Sequence, residues 1–209
     1  MADTILGRVT DHWREVKLAD LCGIVPGPSG PEFSQVSAGG IGPRILRPLN
    51  IHSGLIMSES ASRLKKEPKR DVRRFQLMTG DILLTRVAQV GRVAMVTGGH
   101  VGWLFNTGLI RLRCNNQVDP RYLRHYLMLP RIQTWMQQNV SGTAITGITK
   151  QALSALPVAL PPREVQSAIA TPLEVLTEKI AVHQDIVTTA ARLRDAVAER
   201  LFVRDGLEQ

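Results

Sequence analysis

Ser141-Gly142-Thr143-Ala144-Ile145, followed by Leu153-Ser-Ala-Leu-Pro-Val158 and Leu160-Pro-Pro162, is the stretch on which the reading of this chain turns. It precedes a C-terminal run that repeats apolar residues at helical spacing. Beyond Pro162 the period changes. An apolar seam runs through Leu173, Leu176, Ile180, His183, Val187, Leu193 and Val197, with spacings of four and three alternating for most of it, as in a coiled coil. The stretch is therefore the hinge between a globular domain, residues 1–162, and a helical arm, residues 163–209. Within the arm, Thr171-Pro172-Leu173-Glu174 fits a capping box with proline in the first turn, so a short helix from 163 is expected to break there and a longer one to begin.

Working back from the hinge, the patterns predict an α+β domain built on a mixed or antiparallel sheet with helices, followed by a long coiled-coil-type helix. Trp13-Arg-Glu-Val-Lys-Leu18 alternates apolar and polar as a half-buried strand does, and Gly27-Pro-Ser-Gly-Pro31 forces a loop. Gly80-Asp81 is a turn signal before Ile82-Leu-Leu-Thr-Arg86, and 92–97 and 109–114 read as further strands. Asp119-Pro120 has the form of a helix N-cap with proline at the first position. Tyr122, Leu123, Tyr126 and Leu127 then share one face, Pro130 ends the helix, and a second runs through Ile132, Trp135 and Met136. The three tryptophans, 13, 103 and 135, are expected to pack into the core.

Charge separates the two parts. Residues 1–162 carry 20 lysines and arginines against 10 acids, whereas residues 163–209 carry 6 against 8. A basic globular part with a weakly acidic helical tail suits a polyanion at one end and a protein at the other. Membrane-surface binding would place the basic residues on the amphipathic helix, so no membrane partner is expected. The opening residues lack the layout of a signal peptide and no apolar run reaches the roughly 18 residues of a membrane span; the expected location is cytoplasmic. Cys22 and Cys114 have no second ligand at metal spacing and read as buried thiols.

No catalytic or metal-ligating set stands out. The Asp/Asn-Pro-Pro-aromatic motif and glycine-rich turn of a DNA methyltransferase are absent, as is the Gly-Lys-Ser/Thr ending of a phosphate loop. Asp11, Glu15 and Lys17 form a possible nuclease metal site, set against a strand with alternating exposed charges.

The binding candidates are basic and polar. Arg63, Lys65, Lys66, Lys69, Arg70, Arg73 and Arg74 face only Glu67 and Asp71 in sequence, and read as phosphate contacts or as a solvated loop. Arg44, Arg47, Asn50, Arg86, Gln89 and Arg92 lie in predicted loops and strand ends and have the forked donors and acceptors that read base edges. Ser141 and Thr143 are placed either to bond phosphates or to cap the next element.

In this order, Gly80–Arg86, Val90–Ala94, Ser141–Ile145, Leu156-Pro-Val158 and Leu160-Pro-Pro162 with Glu164 and Gln166 resemble the specificity subunit of Type I restriction-modification enzymes. Members of that family carry two tandem target recognition domains, each followed by a long helix, the two helices packing antiparallel as a spacer. This sequence holds one copy, so the resemblance implies a half-subunit form that pairs with itself through the seam. It implies a reader of double-stranded DNA that performs no chemistry and binds no cofactor. An adenine methyltransferase subunit with S-adenosylmethionine, and a restriction and translocase subunit with ATP and magnesium, would be its partners on a bipartite target. A recognition and scaffold subunit of another phage-defence complex is the alternative. Ala88 departs from the family pattern, standing where many relatives have glycine, which leaves the local turn open.

Overall fold

The computed structural model describes residues 2–9, 12–142 and 146–206. The chain divides into two units, Met1–Thr171 and Pro172–Gln209.

At the centre of the first unit is a four-stranded antiparallel sheet in the order Val93–Met95, Ile82–Thr85, Leu109–Cys114, Cys22–Pro26. The middle strand Ile82–Thr85 is apolar at consecutive positions through Leu84 because both faces are covered, whereas its neighbour Leu109–Cys114 carries Arg111 and Arg113. Successive side chains point to opposite faces: Ile82 and Leu84 join one buried cluster with Ile110 and Leu112, while Leu83 joins a second with Ala94 and Leu109. The first cluster is closed by two helices, Pro120–Met128 and Pro130–Gln138. Asp119 caps the first, accepting the Arg121 N–H at 2.9 Å, and Tyr122, Leu123, Tyr126 and Leu127 are all buried. Leu129, preceding Pro130, is extended (ψ 138°) because a proline disfavours helical backbone in the residue before it, and the two helices meet there.

The second cluster lies against a smaller mixed sheet in the order Leu104–Phe105, Arg44–Leu46, Ser62–Leu64, Val36–Ser37, parallel only between the first two. Phe75 packs edge-on against Phe105 with centroids 6.3 Å apart. Within the 63–74 run, Ser62–Leu64 is a strand, so the run begins in a sheet and becomes a loop that ends in a 3-10 turn at Arg73–Phe75. Gly27 is required by close approach: a Cβ there would overlap the backbone of Asn106.

Pro157–Leu160 returns to pair antiparallel with Arg14–Lys17, joining the two ends of the domain. Both tyrosines fasten this strand. Tyr122 donates its hydroxyl to the Ala159 carbonyl (2.6 Å), and Tyr126 donates to the Pro157 carbonyl (2.9 Å) while accepting the Ala159 N–H (3.1 Å). Cys22 and Cys114 are cross-strand partners with free thiols, sulfur to sulfur 3.6 Å. The tryptophans are half-buried and pack on the flanks of the two clusters.

The C-terminal helix runs unbroken from Arg163 to Gly206 with Pro172 inside it, which corrects the break expected at Thr171. Proline removes one N–H, leaving the Ala168 carbonyl without its helical donor. Ala168 is exposed, so water can take that bond. Thr171 caps nothing; its hydroxyl donates to the Ser167 carbonyl within the helix (2.9 Å). Gln166 and Ala170, from the opening turns, are buried in the first unit, beyond the boundary expected at residue 162. No helix among the described residues is long and apolar enough to cross a membrane.

Candidate nucleic-acid interface

Arg44 and Arg63 are direct cross-strand partners, both exposed. Like charges facing each other across a pair of strands repel. The pair is held by other contacts: the Arg44 guanidinium lies over the Trp103 ring at 4.7 Å, and Arg63 donates to the Gly42 carbonyl at 3.0 Å. An anion between them would remove the repulsion. Beyond Arg63, the strand delivers Lys65, Lys66 and Lys69 into solvent. Arg70 is anchored by Glu32 (2.9 Å), by the Ser29 carbonyl and by the Phe33 ring at 4.6 Å. Arg73 forks onto Asp71, whose carboxyl it holds at a pKa of about 2, and Arg74 stacks on Phe75 at 4.5 Å. The run is thus a block of exposed lysines flanked by arginines fixed by neighbours.

Asn50 leaves this group. It is fully buried; its side-chain oxygen accepts the Arg47 N–H (2.8 Å) and its amide donates to Ser60 (2.9 Å). Both ends are spent on a local turn, so it cannot reach a base edge. Arg47 is half-buried and donates to Ser62 at 3.1 Å.

A second group forms at one end of the central sheet. Val87 bridges to Gly147, and the Arg86 carbonyl accepts the Ile148 N–H at 2.9 Å, bringing the 86–92 turn beside the Val140–Ser141 and Gly147–Ile148 hairpin. The turn that carries Arg86, Gln89 and Arg92 and the hairpin that carries exposed Ser141 are therefore adjacent, although Arg92 and Ser141 are 49 positions apart in sequence, and the Arg92 guanidinium donates to the Ile51 carbonyl at 3.4 Å. Thr143, like Asp11, lies outside the described residues. The turn is fastened to the Pro130–Gln138 helix by Gln133, which donates to the Gly91 carbonyl, and Gln137, which donates to the Val90 carbonyl, both at 2.9 Å. Ala88 sits at φ 61°, the left-handed conformation that glycine adopts freely. Gln89, Arg92, Gln133 and Gln137 line one shallow cavity of about 450 Å³.

Neither Arg111 nor Arg113 stands out as a candidate in the sequence, although their alternation in Leu109-Ile-Arg-Leu-Arg-Cys114 places both on one face of a strand. Arg113 forks onto buried Asp81, with both contacts at 2.7 Å, and that bond raises its pKa. Asp81 also accepts the Met78 N–H (2.8 Å), which closes the Gly80-Asp81 turn.

As for the possible nuclease set, the Glu15 carboxylate accepts the Ile5 N–H at 2.6 Å, and among the described residues no group of three or more His, Cys, Asp or Glu could hold a metal ion.

In the second unit, the seam residues Leu176, Ile180, His183, Val187, Leu193 and Val197 are exposed and Leu173 is half-buried. His183 bonds the Lys179 carbonyl of its own helix (2.8 Å). Val175, Val182 and Ile186 widen the exposed apolar face.

An α+β basic domain followed by a long helix defines the class, and comparison with known proteins agrees. The profile of the Type I restriction modification DNA specificity domain matches residues 10–190, and the chain belongs to that family. A curated relative, the putative type I restriction enzyme MjaX specificity subunit of Methanocaldococcus jannaschii, is 24% identical over 211 residues, covering 98% of this chain and 49% of the relative. Among solved structures, the type I restriction-modification S subunit from M. genitalium superposes with a TM-score of 0.65 at 18% identity, over 98% of this chain and 50% of that one. The HsdS subunit from Thermoanaerobacter tengcongensis gives 0.60 at 21%, over 84% and 40%. The chain spans about half the length of the relatives it matches.

Proposed function

We propose that this chain is the DNA-reading component of a type I restriction-modification assembly, and that it performs no catalysis itself. The observation that carries this reading is the family match over residues 10–190, supported by a globular domain with twice as many cations as acids. The basic run from Arg63 to Arg74 grips phosphates of double-stranded DNA, which positions without specifying. Arg86, Gln89, Arg92 and Ser141 read bases from the neighbouring loops, with Arg44 and Arg47 at the second sheet.

Two copies pair through the seam of the C-terminal helix, so that the DNA carries two inverted half-sites with an unread gap, as operator symmetry mirrors protein symmetry. The target adenine is flipped into an adenine methyltransferase subunit that this chain positions. That subunit supplies S-adenosylmethionine, and a restriction and translocase subunit supplies ATP and magnesium chemistry. The location is cytoplasmic and the role phage defence.

The test is the methylome of a host expressing this chain with its methyltransferase. A symmetric, gapped, adenine-methylated motif that disappears when this chain is omitted is expected. Methylation that is unchanged without the chain would overturn the reading, and an asymmetric motif would overturn the self-pairing.

A further inference from the structure

Five cationic side chains from separate parts of the sequence converge on one open cleft of about 640 Å³: Arg70, Arg74, Arg111, Arg113 and Lys150. Its remaining lining is apolar or uncharged, with Gly27, Pro28 and Ser29 along one side and no carboxylate. Arg70 and Arg113 are each matched by a carboxylate outside the lining, Glu32 and Asp81. Arg74, Arg111 and Lys150 leave about three positive charges in excess, on a partly apolar floor where fields are less screened than in water.

Arg111 is the informative member. It is 6% exposed, one terminal nitrogen donates to the carbonyls of Arg74 (2.9 Å) and Gln76 (3.2 Å), and its Nε has no hydrogen-bond partner. Burial and the neighbouring Arg113 charge both lower its pKa, with Asp81 opposing them. A buried guanidinium beside another cation is costly to keep unless an anion completes the site. Planar forks converging with a lysine suit the oxygens of a phosphate group.

We infer that this cleft is a phosphate site, filled by the backbone of bound DNA. The inference rests on the DNA-reading role proposed above, and it adds Arg111, Arg113 and Lys150 to the interface. Arg70 and Arg74 belong both to the cleft and to the basic run, so a strand tracked along residues 65–74 leads into it.

The variant for the test is Arg74→Ala with Lys150→Ala, because both residues are exposed and their removal leaves the core intact. Arg111→Lys, which keeps charge but removes the fork, is a second variant, with circular dichroism reporting its folding. Duplex affinity is measured by fluorescence anisotropy across a salt series, and binding of inorganic phosphate by 31P line broadening with and without duplex. For the double variant, the slope of log affinity against log salt is expected to fall by about 0.9 for each phosphate that is no longer neutralised, with the ratio of cognate to scrambled affinity unchanged. Duplex should abolish the phosphate broadening of the parent chain. An unchanged slope with no broadening overturns the site. An unchanged slope with broadening that the double variant abolishes keeps the phosphate site and overturns DNA as its source. If the parent chain binds no duplex at all, the DNA-reading role falls, and the broadening alone decides the cleft.

Discussion

The side chain of Gln166 accepts the backbone N–H of Asp119 at 2.7 Å, a bond spanning 47 residues that ties the first turns of the C-terminal helix to the cap of the Pro120–Met128 helix. Its amide donates in turn to the carbonyls of Pro161 (2.9 Å) and Gln117 (3.2 Å), and the residue is 1% exposed. The glutamine just beyond Leu160-Pro-Pro162 is therefore a clasp between segments. Asp119 is held from the other side by Arg121: burial pulls its pKa up, but the hydrogen bonds from the Arg121 side chain and backbone bring it below the ordinary value.

Replacing Gln166 with leucine keeps the bulk and strands one buried donor and two acceptors. Each unsatisfied group costs about 1–3 kcal/mol, with partial relief by water. Urea unfolding is expected to show a loss of about 2–3 kcal/mol. A loss below the error of the extrapolation would mean the clasp contributes nothing.

Ala88 holds a left-handed backbone that glycine reaches without strain. Ala88→Gly should raise stability by up to about 1 kcal/mol, the steric relief of roughly 1–2 kcal/mol being partly offset by unfolded-state entropy. Thermal unfolding checks the sign; destabilisation would show that the alanine methyl packs usefully in the turn.

The exposed seam predicts self-association. Leu176→Glu with Ile180→Glu places four like charges into a paired interface and should turn the dimer into a folded monomer, read by light scattering with chromatography. Because Leu176 and Ile180 are 55% and 49% exposed, the fold of the chain itself should be unaffected. A parent chain that is already monomeric refutes the pairing.

Neutralising Lys65, Lys66 and Lys69 together should weaken binding to all DNA sequences alike and flatten its salt dependence, because exposed lysines contribute through counterion release. Arg70 is left in place, since removing it would also loosen its contacts with Glu32 and Phe33. An anisotropy titration in which the triple variant keeps the parent slope would take the lysines out of the interface.

The only two tyrosines in the chain, Tyr122 and Tyr126, are both buried, and burial raises both pKa values, that of Tyr126 to about 12. In the unfolded chain both titrate near pH 10. The native state thus holds its phenolic protons while the unfolded state releases them, and stability falls as pH rises from about 10 through about 12. Tyrosinate absorbance at alkaline pH should appear immediately in urea but only with unfolding in buffer. A native tyrosinate signal at the ordinary phenol pKa would contradict the burial.

Local chemistry made much of this protein legible from sequence. Asp119-Pro120 capped a helix, Gly80-Asp81 made a turn, Ile82–Leu84 became a strand covered on both faces, and the helical seam stayed apolar and exposed, because each depends on residues within a few positions of one another. The site was less legible. Asn50 has the right chemistry for a base reader, yet a turn closed by Arg47 and Ser60 consumes both its donor and its acceptor. Pro172 reads as a breaker, yet the helix passes through it, and Ala168, whose carbonyl loses its helical donor, is exposed so that water can take that bond. By itself, the sequence determined the periods, the caps, the basic domain and the apolar arm. Only the tertiary structure decided which charges meet: Arg70, Arg74, Arg111, Arg113 and Lys150 share a cleft because sheet register and loop packing bring distant segments together, and charge interactions depend on distance in space rather than along the chain.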